Sequence, residues 1–181
     1  GSNPFRRVCF RIAGLGYATP GAVIAVGVLV VLGRFDRVDL PFLPILTGSL
    51  VGIGFAYLVR FIAIPLHLSR AGMDRLGPSL GEASRLLGRS PLASFWRIDL
   101  PLLKGPLFAA AMLLFVDILK ELPLTLILRP VNFETLATTA FSLAKEARLQ
   151  ACAVPSLMIV AAGAVGLFIM NRWLTPANSH E

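Results

Sequence analysis

Long runs without a charged residue alternate along this chain with short polar segments. The first run, 12–33, holds 22 residues and no charge. The second, 45–66, is interrupted by Arg60 alone, about two helical turns before its end. The third, 105–128, is uncharged in its first half and then carries Asp117, Lys120 and Glu121, with Pro123 just after. The fourth, 149–171, holds 23 uncharged residues. At about 1.5 Å of rise per residue, runs of this length cross a hydrocarbon core of about 30 Å. The pattern predicts an all-α membrane protein with four transmembrane helices in one domain over 1–181.

Between the second and third runs, 67–104 is the longest segment that reads as both hydrophilic and helical. Ser79 is placed as an N-cap with Glu82 three residues later, the capping-box spacing. Gly88 is placed to end that helix in a left-handed turn. Ser90-Pro91 then opens a second helix, Ser as N-cap and Pro at the first helical position. The prediction is a helix, a glycine turn and a second helix. Ala83, Leu86, Leu87, Leu92, Phe95, Trp96 and Ile98 are too many apolar residues for a fully solvated loop. Some pack on the membrane helices, and some are free to enter a groove on a partner protein.

Smaller signals refine the spans. Gly14, Gly16, Gly21 and Gly27 in the first run suit close helix contacts in a membrane, and Thr19-Pro20-Gly21 interrupts it. Arg60 is placed to snorkel to the interface. Pro65 closes the second span or kinks its last turn. Residues 129–148 read as an amphipathic, mixed-charge loop.

Composition agrees with the pattern. Apolar residues make up 56% and charged residues 15%, against about 25% charged in a globular domain. The mean hydropathy is +0.76. The net charge of +7 is explained by basic cytoplasmic loops rather than by nucleic acid. With four spans, both termini and 67–104 share one side. That side holds ten of the 17 Lys and Arg residues, against five opposite. The positive-inside rule makes it cytoplasmic.

The two cysteines, Cys9 and Cys152, lack a CxxC spacing, and His67 and His180 are isolated, so the residues point to no metal site and no cofactor. No GxxxxGK[ST] phosphate loop is present, so the chain itself hydrolyses no ATP and reads as no enzyme. It opens Gly-Ser-Asn, with no initiator Met and no signal-peptide pattern, and so reads as a fragment.

Asp117, Lys120 and Glu121 fall at i, i+3 and i+4, near one face of the third helix. Such charges are costly in a bilayer and face protein or water. They either line a translocation path, where carboxylates attract a cationic substrate, or form a neutralised cluster pinning the third span. Two carboxylates beside an ammonium make a poor cage for a hard cation in either case.

Glu82-Ala83-Ser84, Gly88 and Ile98-Asp99-Leu100-Pro101 together resemble the EAA loop of ABC-importer permeases, E-A-A-x3-G-x9-I-x-L-P. The spacing fits throughout, with Ser84 where the pattern has a second Ala. Asp117 to Pro130 and Asn132 to Thr138 are similar to the iron(III)-type importer permeases, and Leu15 to Gly21 is similar to the start of the third span of a half of such proteins. The resemblance implies part of a type I ABC-importer transmembrane domain in a bacterial inner membrane. It implies that Glu82, Ala83, Ser84, Gly88, Ile98, Leu100 and Pro101 couple to a cytoplasmic ABC ATPase dimer. Further partners would be an extracytoplasmic substrate-binding protein, a second permease half and the lipid bilayer. It also implies that two earlier spans and a second half are absent from this sequence. Iron(III) is the implied substrate, with thiamine, polyamine and phosphonate importers sharing the architecture.

A different class competes: an ion-coupled secondary transporter or channel subunit, with Asp117, Lys120 and Glu121 as a relay. A membrane-anchored DNA-binding helix-turn-helix fits less well, because Phe95, Trp96 and the leucines suit a protein groove better than phosphates.

Overall fold

The computed structural model describes residues 4–37, 46–76, 84, 88 and 90–174. Regular structure among them is helical throughout. Helix α1 spans Pro4–Ala18 and α2 Gly21–Phe35. Helix α3 spans Leu50–Phe61 and α4 Ala63–Leu76. Helix α5, Pro91–Leu102, contains a widened π turn at Phe95–Asp99. Helix α6 spans Lys104–Leu119, α7 Pro123–Leu128, α8 Leu136–Lys145 and α9 Leu149–Leu174.

Only α9, among the described helices, is long and apolar enough to cross a membrane unbroken. The other apolar stretches are bent pairs, and the total reaches four spans when each pair counts as one. The first run is therefore not one straight helix over 12–33. Helices α1 and α2 meet at 113°. Pro20 lacks an N–H and steers Thr19 away from helical dihedrals, so the α-helix stops there. The Thr19 hydroxyl turns back onto the Leu15 carbonyl at 2.7 Å.

The second run departs from 45–66 at both ends. Its helix starts at Leu50, where Ser49 Oγ accepts the Gly52 N–H at 3.1 Å. It bends by 42° after Phe61 and continues to Leu76. Pro65 sits in the first turn of α4, where its missing N–H costs least. The third run ends early. Helix α6 stops at Leu119, and Pro123 begins the separate short helix α7. The segment 129–148, expected as loop, contains α8. A reciprocal cap starts it: Thr135 Oγ1 accepts the Thr138 N–H at 3.3 Å, and Thr138 Oγ1 accepts the Thr135 N–H at 2.8 Å.

The core lies where α2, α3 and α7 meet. Ile24, Ala25, Val28 and Leu32 pack with Ile53, Ala56, Leu124 and Leu128. Helix α1 packs on α3 and α4, α4 on α6, and α6 on α9, which pairs with α8. Small residues permit these contacts. A Cβ at Gly16 would run into the Val59 carbonyl oxygen, and one at Gly72 would meet Leu103 and Pro106 side chains at 2.8 Å. The outer surface is the apolar one. Val154, Leu157, Val160, Leu167 and Phe168 of α9 are all exposed, as a helix facing lipid requires.

Candidate functional site

The sequence singles out two sets of residues. In the loop between α4 and α6, Glu82 and Ala83 lie outside the described residues. Ser84 is helical and buried, at 2% exposure. Gly88 adopts φ +72, and no described residue comes within 4 Å of where its Cβ would lie. The turn thus needs glycine for its backbone conformation. Two residues on, Ser90 Oγ accepts the Ala93 N–H at 3.3 Å, with Pro91 at the first helical position of α5.

Pro101 lies near the end of α5, where it has no N–H to give and its ring crowds the carbonyl one turn back. The π turn at Phe95–Asp99 lies just ahead of it and widens the helix there. Ile98 and Leu100 are half-buried and Pro101 is exposed. Leu92, Phe95 and Trp96 are exposed, Leu92 and Trp96 by more than half. Helix α5 then meets α6 at 65°.

The second set is Asp117, Lys120 and Glu121. The structure separates them. Because α6 stops at Leu119, Glu121 leaves the helix face that holds Asp117, and the one-face expectation fails. Lys120 Nζ lies 3.0 Å from Asp117 Oδ1, and Tyr17 donates its hydroxyl to Asp117 Oδ2 at 3.2 Å. The Lys120 side chain is 64% exposed.

Glu121 is turned inward and pairs with Arg60, Nε to Oε2 at 3.2 Å. Arg60 also donates from Nη1 to the Thr19 carbonyl at 3.0 Å. Glu121 Oε1 accepts the Leu124 N–H at 3.2 Å, and Tyr57 and Thr125 join hydroxyls at 2.5 Å nearby. Gly21 makes room, since a Cβ there would lie 2.7 Å from Glu121 Oε1. Arg60 is therefore held inside the protein and does not snorkel outward. Among the described residues no group of three or more His, Cys, Asp and Glu side chains is arranged to hold a metal ion.

The sequence profile of the binding-protein-dependent transport system inner membrane components matches residues 2–180. The chain belongs to this family. The Fe(3+)-transport system permease protein FbpB 2 of Haemophilus influenzae is 24% identical over 163 residues, 90% of this chain and 31% of that protein. A spermidine/putrescine transport system permease protein PotC homolog of Mycoplasma genitalium is 27% identical over 162 residues, 87% of this chain and 54% of that one. The ferric transport system permease protein FbpB of Actinobacillus pleuropneumoniae is 31% identical over 157 residues, 85% of this chain and 22% of that protein. This family member thus spans about half or less of the curated relatives it matches.

Arg60, Tyr17 and Thr19 were not legible as partners of the acidic residues. One signal was available. An arginine inside an otherwise uncharged run must find a counter-charge or a carbonyl in the bilayer, and Glu121 is an acid that the bundle can bring to it.

Proposed function

We propose that this chain is part of the permease subunit of an ATP-driven importer in the bacterial inner membrane. It forms part of the translocation path. Its four spans are 12–33, 45–66, 105–128 and 149–171, carried by α1 with α2, by α3 with the start of α4, by α6 with α7, and by α9. The segment 82–101 docks on a cytoplasmic ABC ATPase dimer, with an extracytoplasmic binding protein and a second permease half completing the assembly. The observation that carries this reading is Gly88 at φ +72, which stands between helical Ser84 and the Ser90-capped α5 at the spacing of the EAA loop. A hairpin keyed into the ATPase, with α4 before it and α6 after it in the chain, passes rigid-body motion to both. Both termini and the hairpin are cytoplasmic, as the basic residues direct.

Iron(III) is the proposed substrate. Two relatives with ferric names support it, and the polyamine permease homolog makes polyamines the alternative. The test uses the full-length permease with its ATPase in proteoliposomes. Gly88→Val and Glu82→Lys each lower ATP-driven uptake by about tenfold and weaken retention of the ATPase on the permease. Wild-type uptake and ATPase retention in both variants would refute the coupling role. Competition of uptake by ferric ion but not by spermidine identifies the cargo.

A further inference from the structure

Helices α1 and α4 border an open cleft of about 520 Å³ lined by Phe10, Arg11, Gly14, His67 and Arg70. It lies outside both sets of residues described above. Arg70 stacks its guanidinium over the Phe10 ring at 5.1 Å, and His67 meets the same ring edge-on at 6.4 Å. The aromatic ring thus holds one cation by its face and orients the imidazole beside it. Asp74 pairs with Arg70 at 3.8 Å, but its side chain is 72% exposed and it does not line the cleft. Among the described residues the lining therefore carries two guanidinium groups, an imidazole and no carboxylate.

The position of the cleft narrows its ligand. Arg11 immediately precedes the first uncharged run and His67 immediately follows the second. The cleft therefore sits where two spans leave the hydrocarbon core. Its flank is apolar: Val8, Ile12 and Leu15 of α1 and Met73 of α4 are each at least half exposed. Guanidinium groups match phosphoryl oxygens in geometry and charge. A neighbouring apolar strip is what acyl chains would cover. The sequence adds Arg6 and Arg7 in the preceding turn of α1.

We propose that this cleft binds the phosphodiester headgroup of an anionic phospholipid of the cytoplasmic leaflet. Arg11 and Arg70 clasp the phosphoryl oxygens, His67 donates to one of them, and the acyl chains lie along Val8, Ile12 and Leu15. A basic pocket between membrane helices at the cytoplasmic surface is a recurrent site for such headgroups. The leaflet assignment rests on the orientation proposed above.

The experiment is native mass spectrometry of the full-length permease, titrated with phosphatidylglycerol, phosphatidylcholine or inorganic phosphate. Phosphatidylglycerol binds about tenfold more tightly than phosphatidylcholine, and Arg11→Ala with Arg70→Ala abolishes that preference. Gly14→Leu, which fills the cleft and leaves every charge in place, weakens phosphatidylglycerol binding to a similar degree. Equal binding of the two lipids, or an undiminished preference in both variants, overturns the proposal. Displacement of the lipid by millimolar phosphate overturns it in favour of a soluble anion. The orientation is tested apart. Val131→Cys reacts with a membrane-impermeant maleimide added outside intact cells if 67–104 is cytoplasmic. Labelling from the inside alone would refute the leaflet assignment whatever the titration gives.

Discussion

Arg60 and Glu121 form an ion pair at 3.2 Å that joins two of the places where the helical backbone stops, the end of α1 and the start of α7. Arg60 covers the Thr19 carbonyl left open at the end of α1, and Glu121 covers the Leu124 N–H at the start of α7. A helix break in a membrane leaves backbone groups that water cannot reach, and each must be satisfied within the protein. The side chains of the pair are 19% and 7% exposed. Removing one partner strands a buried charge and costs about 3–5 kcal/mol, whereas removing both costs much less. Arg60→Met and Glu121→Leu are each predicted to destabilise the full-length permease strongly, and the double variant to recover most of the loss. Denaturant titration in mixed micelles measures the cycle. Small, additive effects of the single changes would show that the pair is not what holds the breaks together.

Gly16 provides a steric test of how α1 meets α3. A methyl group there collides with the Val59 carbonyl oxygen, a backbone atom that cannot swing away, whereas Gly27 in α2 faces open space. Gly16→Ala is predicted to part the helices and to cost about 2 kcal/mol or more, in the range of overpacking. Gly27→Ala removes only glycine's backbone entropy cost, and is predicted to be neutral or to stabilise by about 0.5–1 kcal/mol. Melting of the two variants side by side checks both. Equal behaviour would mean that the helices do not approach at Gly16.

These two cases show what the sequence made visible. Uncharged runs located the apolar segments, because lipid imposes its demand on every residue of a span in turn. Ser90-Pro91 located the start of α5, because a cap is a local hydrogen bond between near neighbours. The left-handed turn at Gly88 was legible for the same reason. The angle at Thr19-Pro20, the early stop of α6 and the partners of Glu121 were not. Pro20 and Pro123 mark the interruptions, but the direction in which the chain leaves each one is set by partners distant in sequence. Spacing alone placed Asp117 and Glu121 on one helix face. That inference required the helix to continue past Leu119, and instead α7 turned Glu121 inward toward Arg60.

Asp36 ties the end of α2 to the segment leading into α3, accepting the N–H groups of Leu46 at 2.8 Å and Thr47 at 2.9 Å. The Thr47 hydroxyl beside it, then these two N–H groups, hold the Asp36 carboxyl below its ordinary value of 3.8. Glu134 is likewise held below 4.5, by the Thr138 hydroxyl and then by Arg129. A carboxyl with a depressed folded pKa contributes stability that is fully present above its unfolded value and is lost as pH falls through its folded value. The stability difference between wild type and Asp36→Asn is therefore predicted to be constant above about pH 5 and to close as pH drops below about 4. A series of melts across that range measures it. A difference that does not change with pH would mean that the carboxylate charge plays no part in this anchor.

Asp117 and Lys120 separate path lining from structural pinning, because the two roles predict different signs. The pair is held at 3.0 Å beside Tyr17, with the Lys120 side chain 64% exposed. An ion pair that exposed is worth about 0–1 kcal/mol, so neither Asp117→Asn nor Lys120→Met is predicted to shift the melting of the full-length permease by much. If the pair faces the translocation path of a cationic substrate, losing the carboxylate removes an attraction and losing the ammonium removes a repulsion. Asp117→Asn is then predicted to raise the KM for uptake and Lys120→Met to lower it, with ATPase coupling intact in both. Structural pinning predicts instead that both changes act in one direction, on stability, and leave KM where it was. Tyr17→Phe calibrates the comparison. It removes a single hydrogen bond to Asp117, worth about 1 kcal/mol, without altering charge, and is predicted to leave KM within about twofold of wild type. Uptake kinetics in proteoliposomes, read beside the melts, discriminate the two, and a KM unmoved in either charge variant would remove this pair from the path.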